Sequence, residues 1–113
     1  MKKTQMQTKE DYRLGIGILL TSSEKRDFKD FIANHGLNQG AFLRLLILKA
    51  MKSHVFKSIE NVQMQTNDFL RLSVSIPLTN EEQKEFRSFV LNLGINQGAF
   101  IRALILEAIE EEK

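Results

Sequence analysis

An internal repeat is the feature that most constrains how this chain can fold. A shift of 58 residues places the segment 38–42, Asn-Gln-Gly-Ala-Phe, on the identical segment 96–100, and the alignment runs without a gap through both halves. Nearly half of the paired positions are identical. Such self-similarity indicates one structural unit written twice. A chain of 113 residues is therefore expected to form one compact domain or two very small ones.

Each repeat contains a short stretch in which polar and apolar residues alternate. Residues 71–76 read Arg-Leu-Ser-Val-Ser-Ile, which is the period of a half-buried β-strand with Arg71, Ser73 and Ser75 on one face. The equivalent residues 13–18 read Arg-Leu-Gly-Ile-Gly-Ile, so two glycines stand where the second repeat has serines. Glycine at these positions weakens the first strand.

A capped amphipathic helix is predicted to follow each strand. Residues 79–82 and 21–24 both have threonine at the first position and glutamate at the fourth, which is the pattern of a capping box at a helix start. Apolar residues then recur at steps of three and four, so one face of each helix is expected to be buried. Gly94 and Gly36 are expected to end these helices.

A second helix with little polar surface is predicted after each glycine. Asn96 and Asn38 are suitable N-cap residues, and residues 100–109 are mostly apolar on all sides. A unit of about 45 residues with one short strand and one such helix cannot bury its own apolar surface. Each repeat therefore needs a twin, which the same chain supplies.

This pattern resembles the ribbon-helix-helix (MetJ/Arc) superfamily over residues 11–53 and 68–112, and its tandem form is similar to the TraY family of conjugal-transfer accessory proteins. The resemblance implies a mainly α fold with a short antiparallel β-ribbon, in which two fused ribbon-helix-helix units form one intramolecular pseudo-dimer. The expected organisation is a basic N-terminal arm (1–10), the first repeat (11–53), a connector (54–66) and the second repeat (67–113). Pairing between two chains remains the alternative to pairing within one.

In that superfamily the paired strands enter the major groove of DNA and their outward residues contact base edges. Carried over to this chain, the resemblance implies six base-reading positions: Arg13, Gly15, Gly17, Arg71, Ser73 and Ser75. Gly15 and Gly17 depart from the polar pattern of the family, so an asymmetric target is predicted. The alternative is a structural hairpin with a solvated polar face.

The same resemblance implies contacts to phosphates on either side of the groove. These would come from the starts of the second helices, Asn38, Gln39, Gly40, Asn96, Gln97 and Gly98, because a helix N-terminus offers backbone amides and partial positive charge. The basic arm is expected to add an electrostatic contribution through Lys2, Lys3 and Lys9. Arg44 and Arg102 recur within the second helices, and a salt bridge is as plausible for them as a phosphate contact.

Composition and motifs limit which other classes of function, such as metal binding, catalysis or membrane insertion, are expected. The chain has no cysteine, and His54 has no carboxylate at metal-ligand spacing nearby. His35 stands where the second repeat has Leu93, which predicts a packed helix-end residue, so no metal site and no cofactor are expected. No catalytic constellation is recognisable, which predicts a non-enzyme. The N-terminus lacks a signal peptide and no apolar run approaches membrane length, so a cytoplasmic protein without a membrane partner is expected.

Charge is distributed unevenly between the repeats. Residues 1–58 carry 11 Lys/Arg against 5 Asp/Glu, and residues 59–113 carry 5 against 9, so the halves have net charges of +6 and −4. Double-stranded DNA is the expected partner, and a role at a plasmid origin of transfer would add a relaxase or coupling protein and further copies of the chain on DNA. The alternatives are a transcriptional repressor, an antitoxin, and a helical protein-interaction module that does not bind DNA.

Overall fold

A computed structural model describes residues 13–53 and 69–111 of the chain. The predicted basic arm with Lys2, Lys3 and Lys9 and the whole connector (54–66), which includes His54, lie outside the described residues. The elements follow in the order β1 (Leu14–Thr21), α1 (Ser22–Asn34), α2 (Gln39–Ser53), β2 (Phe69–Ile76), α3 (Asn80–Leu93) and α4 (Gln97–Glu111). The described part is mainly helical with a two-stranded antiparallel sheet, which confirms the predicted mainly α fold with a short antiparallel β-ribbon.

The ribbon is built from one strand of each repeat. Strand β1 pairs antiparallel with β2, and the register places Ile16 opposite Val74. These two residues are equivalent in the repeat, since they are 58 positions apart. On either side of them the pairs also exchange equivalents: Gly15 lies opposite Ser75, and Gly17 lies opposite Ser73. The two strands are therefore related by a local two-fold centred on the pair of Ile16 and Val74.

The strands are longer than the sequence pattern predicts. Alternation indicated residues 13–18 and 71–76, whereas the observed strands extend β1 forward to Thr21 and β2 back to Phe69. Thr21 pairs with Phe69, so each extension is the partner of the other. A pairing between distant segments can lengthen a strand beyond the reach of its own periodicity.

Both predicted capping boxes are present. Thr21 Oγ1 accepts from the Glu24 amide at 3.2 Å, and the Glu24 carboxylate accepts from the Thr21 amide at 3.0 Å. The equivalent distances in the second repeat are 3.1 and 2.9 Å. Gly94 caps α3 with φ +78°, as predicted. In the first repeat, α1 ends at Asn34 with His35 as its cap, and Gly36 follows with φ +60°.

The hydrophobic core fills the space between the inner face of the ribbon and the four helices. Its fully buried side chains come from both repeats and include Ile18, Leu20, Phe28, Leu43, Ile47, Ile76, Leu78, Phe86, Phe100, Ile101 and Ile105. The two second helices are not equally buried. Residues 100–105 of α4 are all buried, whereas Leu45 of α2 is 64% exposed and its equivalent Ala103 only 3%. Burial nearly all round is thus observed for α4 but not for α2.

None of the helices in the described ranges is by itself long and apolar enough to cross a membrane. Helices α3 and α4 meet that criterion of length and composition only when taken together, and they are bent by 89° at the break between them.

Candidate nucleic-acid interface

The outer face of the ribbon carries the predicted base-reading residues. Arg71, Ser73 and Ser75 are exposed on β2, while the alternate residues Leu72, Val74 and Ile76 are buried against the helices. On the first repeat, Arg13 and Gly15 are exposed and Gly17 is half-buried. The alternation predicted for both strands is therefore observed, and the six residues share one surface.

Each arginine of this surface reaches across to the opposite strand. Arg13 Nη1 donates to Ser75 Oγ at 2.9 Å. The Arg71 guanidinium lies over Gly17, where a Cβ would collide with its Nε, Cζ and Nη2 atoms. Gly17 is the repeat equivalent of Ser75, so the two arginines take equivalent directions. At one end the guanidinium is held by a hydroxyl, and at the other it lies against bare backbone. The absence of a side chain at Gly17 is therefore what leaves room for the Arg71 guanidinium.

The second helices begin beside the ribbon, on opposite sides of it. Asn38 Oδ1 accepts from the Ala41 amide at 2.9 Å and Asn96 Oδ1 from the Ala99 amide at 2.7 Å, which confirms both as N-caps. The first amides of a helix have no acceptor within the helix itself. The two helix starts therefore bring partial positive charge to both flanks of the ribbon.

Gly40 and Gly98 allow these helices to approach the strand of the other repeat. A Cβ on Gly40 would lie 2.6 Å from the Ser75 carbonyl oxygen, and one on Gly98 would lie 3.0 Å from the Gly17 carbonyl oxygen. The family resemblance implies phosphate contacts at these two glycines. The close contact with a strand carbonyl is a second reason why glycine is needed at these positions. It involves both repeats, so it cannot be inferred from the sequence of one repeat alone.

We expect Gly40→Ala to destabilise the fold by about 1–3 kcal/mol, because the new methyl group must displace backbone rather than a flexible side chain. In an unobstructed helix the same change would stabilise by up to about 1 kcal/mol. Gly98→Ala is the matched comparison and should cost less, since its contact is longer. Urea denaturation followed by circular dichroism measures both. A stabilised Gly40→Ala variant would show that α2 does not approach β2 this closely.

Arg44 and Arg102 form ion pairs between the repeats. Arg102 donates to Glu24 through Nε at 3.1 Å and Nη2 at 2.5 Å. Arg44 donates to Glu82 at 2.6 and 3.1 Å and also to the Pro77 carbonyl at 3.2 Å. Each glutamate is the capping-box residue of the other repeat, so each arginine fixes a helix start across the core. Of the two roles left open by the sequence, the salt bridge is the one observed.

The ion pair between Arg44 and Glu82 of the second capping box changes the pKa of the Glu82 carboxyl group. Hydrogen bonds from Arg44 lower the pKa of Glu82 below its usual value, and the Thr79 amide acts in the same direction, while burial opposes both. The pair therefore stabilises the fold while Glu82 is ionised, and this contribution is lost when the pH falls through the lowered pKa.

Histidine and carboxylate side chains form no cluster of metal-ligand type within the two described ranges. His35 lies at the end of α1, where its ring packs against Phe31 with centroids 4.4 Å apart and its Nδ1 lies 2.9 Å from the Phe31 carbonyl oxygen. Its observed role is thus that of a helix-end residue.

A groove of about 490 Å³ separates one end of the ribbon from the start of α4. Its lining includes Gly17 and Arg71 of the outer face of the ribbon, Asn96 and Gly98 at the start of α4, and Leu19 and Phe69. Leu19 was not identified from the sequence, because the alternation of β1 stops being visible in the apolar run 18–20. Continuing the period of two past Gly17 would have placed Leu19 on the outer face.

Compared with protein-family models, with curated proteins and with solved structures, the chain matched none of them. The assignment of this surface therefore depends on the geometry of the chain and on its repeat.

Proposed function

We propose that this chain is a sequence-specific double-stranded DNA-binding protein that inserts the β1–β2 ribbon into the major groove. In this proposal the repeats are two ribbon-helix-helix units that form one intramolecular pseudo-dimer. The observation that carries it is a two-stranded ribbon whose inner face seals the core while its outer face exposes arginine and serine side chains. The major groove is wide enough to admit such a ribbon.

Sequence reading is assigned to the outer face. Arg71 and Arg13 can each donate a bidentate pair to guanine O6 and N7, which discriminates against the wrong base by about 1–3 kcal/mol. Ser73 and Ser75 donate or accept and are less selective. Gly15 and Gly17 offer no side chain, so the half-site below β1 is read mainly by Arg13. The proposed target is asymmetric for this reason.

Positioning on the duplex is assigned to the helix starts. Backbone amides at each helix start, next to the N-caps Asn38 and Asn96, would bind the phosphates that border the groove. They belong to Gln39 and Gly40 on one flank and to Gln97 and Gly98 on the other. Such contacts fix orientation and carry no sequence information. The arm with Lys2, Lys3 and Lys9 is proposed to contribute salt-dependent affinity.

The biological role that we propose is that of an accessory protein of plasmid transfer, bound near an origin of transfer. The supporting feature is the charge asymmetry of the helix ends: α4 carries Glu107, Glu110 and Glu111, where α2 has Lys49, Lys52 and Ser53. An acidic end would suit docking to a basic region of a relaxase or coupling protein. Mapping bound sites across a plasmid-bearing genome separates this role from that of a repressor, which would occupy promoters alone.

The direct test of DNA binding is selection from a pool of random duplexes, followed by a salt titration of the selected sequence. We expect one asymmetric consensus and a linear fall of log affinity with log salt, with a slope of about −0.9 for each phosphate neutralised. Sedimentation at micromolar concentration should give a monomer without DNA. Salt-insensitive or undetectable duplex binding would instead favour a protein-interaction module.

A further inference from the structure

Leu19 is a large exposed apolar side chain on the outer face of the ribbon, which otherwise carries polar residues, glycine and the half-buried Phe69. It is 55% exposed and lies on β1 in register with Arg71 of β2, so both side chains belong to the outer face of the ribbon. Exposure alone does not distinguish it, because Leu45 and Leu91 on the helices are more exposed. Leu19 differs from those two residues because it lies on the outer face of the ribbon.

The position of Leu19 relative to the Arg71 guanidinium indicates which group of the DNA it would contact. The Arg71 guanidinium lies over Gly17, two residues from Leu19 on the same strand. Two residues of strand span about 6.6 Å, which is close to the rise of two base pairs. With the ribbon in the major groove, Leu19 and the guanidinium would therefore lie over base pairs about two steps apart. The only apolar group that a base pair presents in this groove is the 5-methyl group of thymine.

We propose that Leu19 is a specificity-determining residue that contacts the 5-methyl group of one thymine, about two base-pair steps from the base pair contacted by Arg71. This inference rests on the proposed DNA-binding function. It adds a position read through apolar contact at the end of the ribbon where Phe69 pairs with Thr21.

The contact is expected at one end of the target only. The repeat equivalent of Leu19 is Pro77, which is half-buried and lies beside Gly40, so it presents a different surface. The two ends of the ribbon thus differ in composition: Leu19 with Arg71 at one end, and Pro77 with Arg13 and Ser75 at the other. A thymine requirement confined to one half-site follows.

The test removes the methyl group from the DNA. In the selected duplex, each thymine is replaced in turn by deoxyuridine, which leaves base pairing unchanged, and affinity is measured for the intact protein and for Leu19→Ala. For the intact protein we expect one position to lose about fourfold in affinity, the equivalent of ~0.8 kcal/mol for one buried methyl group. The Leu19→Ala variant should bind the unmodified duplex about fourfold more weakly and be insensitive to deoxyuridine at that position.

Leu45→Ala is the matched control, since it removes the same side chain from an exposed position on α2. It should retain both the affinity and the deoxyuridine profile of the intact protein. Equal deoxyuridine sensitivity of the intact protein and Leu19→Ala would overturn the thymine contact while leaving DNA binding in place. Failure of the intact protein to prefer any duplex would overturn the proposed function and this inference together.

Discussion

Replacing Arg71 and Ser73 together by alanine is expected to weaken binding to the selected duplex by about 100-fold or more. One bidentate arginine–guanine pair discriminates by about 1–3 kcal/mol, and the serine hydroxyl adds a smaller amount. Affinity for unrelated duplexes should fall much less, because phosphate contacts are made elsewhere. Both side chains are exposed, so the free energy of unfolding should change little. Fluorescence anisotropy with specific and scrambled duplexes measures the two affinities.

The chain supplies a matched control for this experiment. Arg87 and Ser88 are both exposed on α3, so Arg87→Ala with Ser88→Ala removes the same residue types and the same charge from a helix. This variant should keep its preference for the specific duplex. If both double variants lose affinity equally, the effect is one of net charge, and the outer face of the ribbon does not read sequence.

Much of the fold follows from local patterns in the sequence. The repeat defines two equivalent units, alternation defines the faces of the strands, and Thr21 and Thr79 mark the helix starts that the structure has. These features are predictable because each depends on residues within a few positions of one another. The antiparallel ribbon adds only the pairing of one such strand with its equivalent.

What could not be predicted involves contacts between the repeats. The sequence identifies Arg44 and Arg102 as recurring residues, but their partners Glu82 and Glu24 are 38 and 78 residues away. The packing of Gly40 against the Ser75 carbonyl is hidden for the same reason. Leu19 was missed because the apolar run 18–20 hides the alternation, although the period of two continued from Gly17 gives its outward direction.

The two repeats differ in how deeply equivalent phenylalanines are buried, and this difference should affect stability. Identical Asn-Gln-Gly-Ala-Phe segments would suggest equal burial of Phe42 and Phe100. Phe100 is fully buried, with Phe86 and Phe89 at centroid distances of 5.8 and 5.5 Å, whereas Phe42 is half-buried and packs on Phe31 at 5.4 Å. The second repeat therefore contributes more of the core than the first.

Phe100→Ala is accordingly expected to lower the free energy of unfolding by about 3–5 kcal/mol, the usual cost of truncating a buried phenylalanine. For a small domain with a total stability of about 5–15 kcal/mol, this change leaves a substantial unfolded population under mild denaturant. Phe42→Ala deletes the same atoms from the equivalent position and should cost about half as much, because part of its ring already contacts solvent. Urea denaturation of both variants measures the difference. Equal losses would mean that Phe42 and Phe100 are buried alike in solution, which would contradict an asymmetric core.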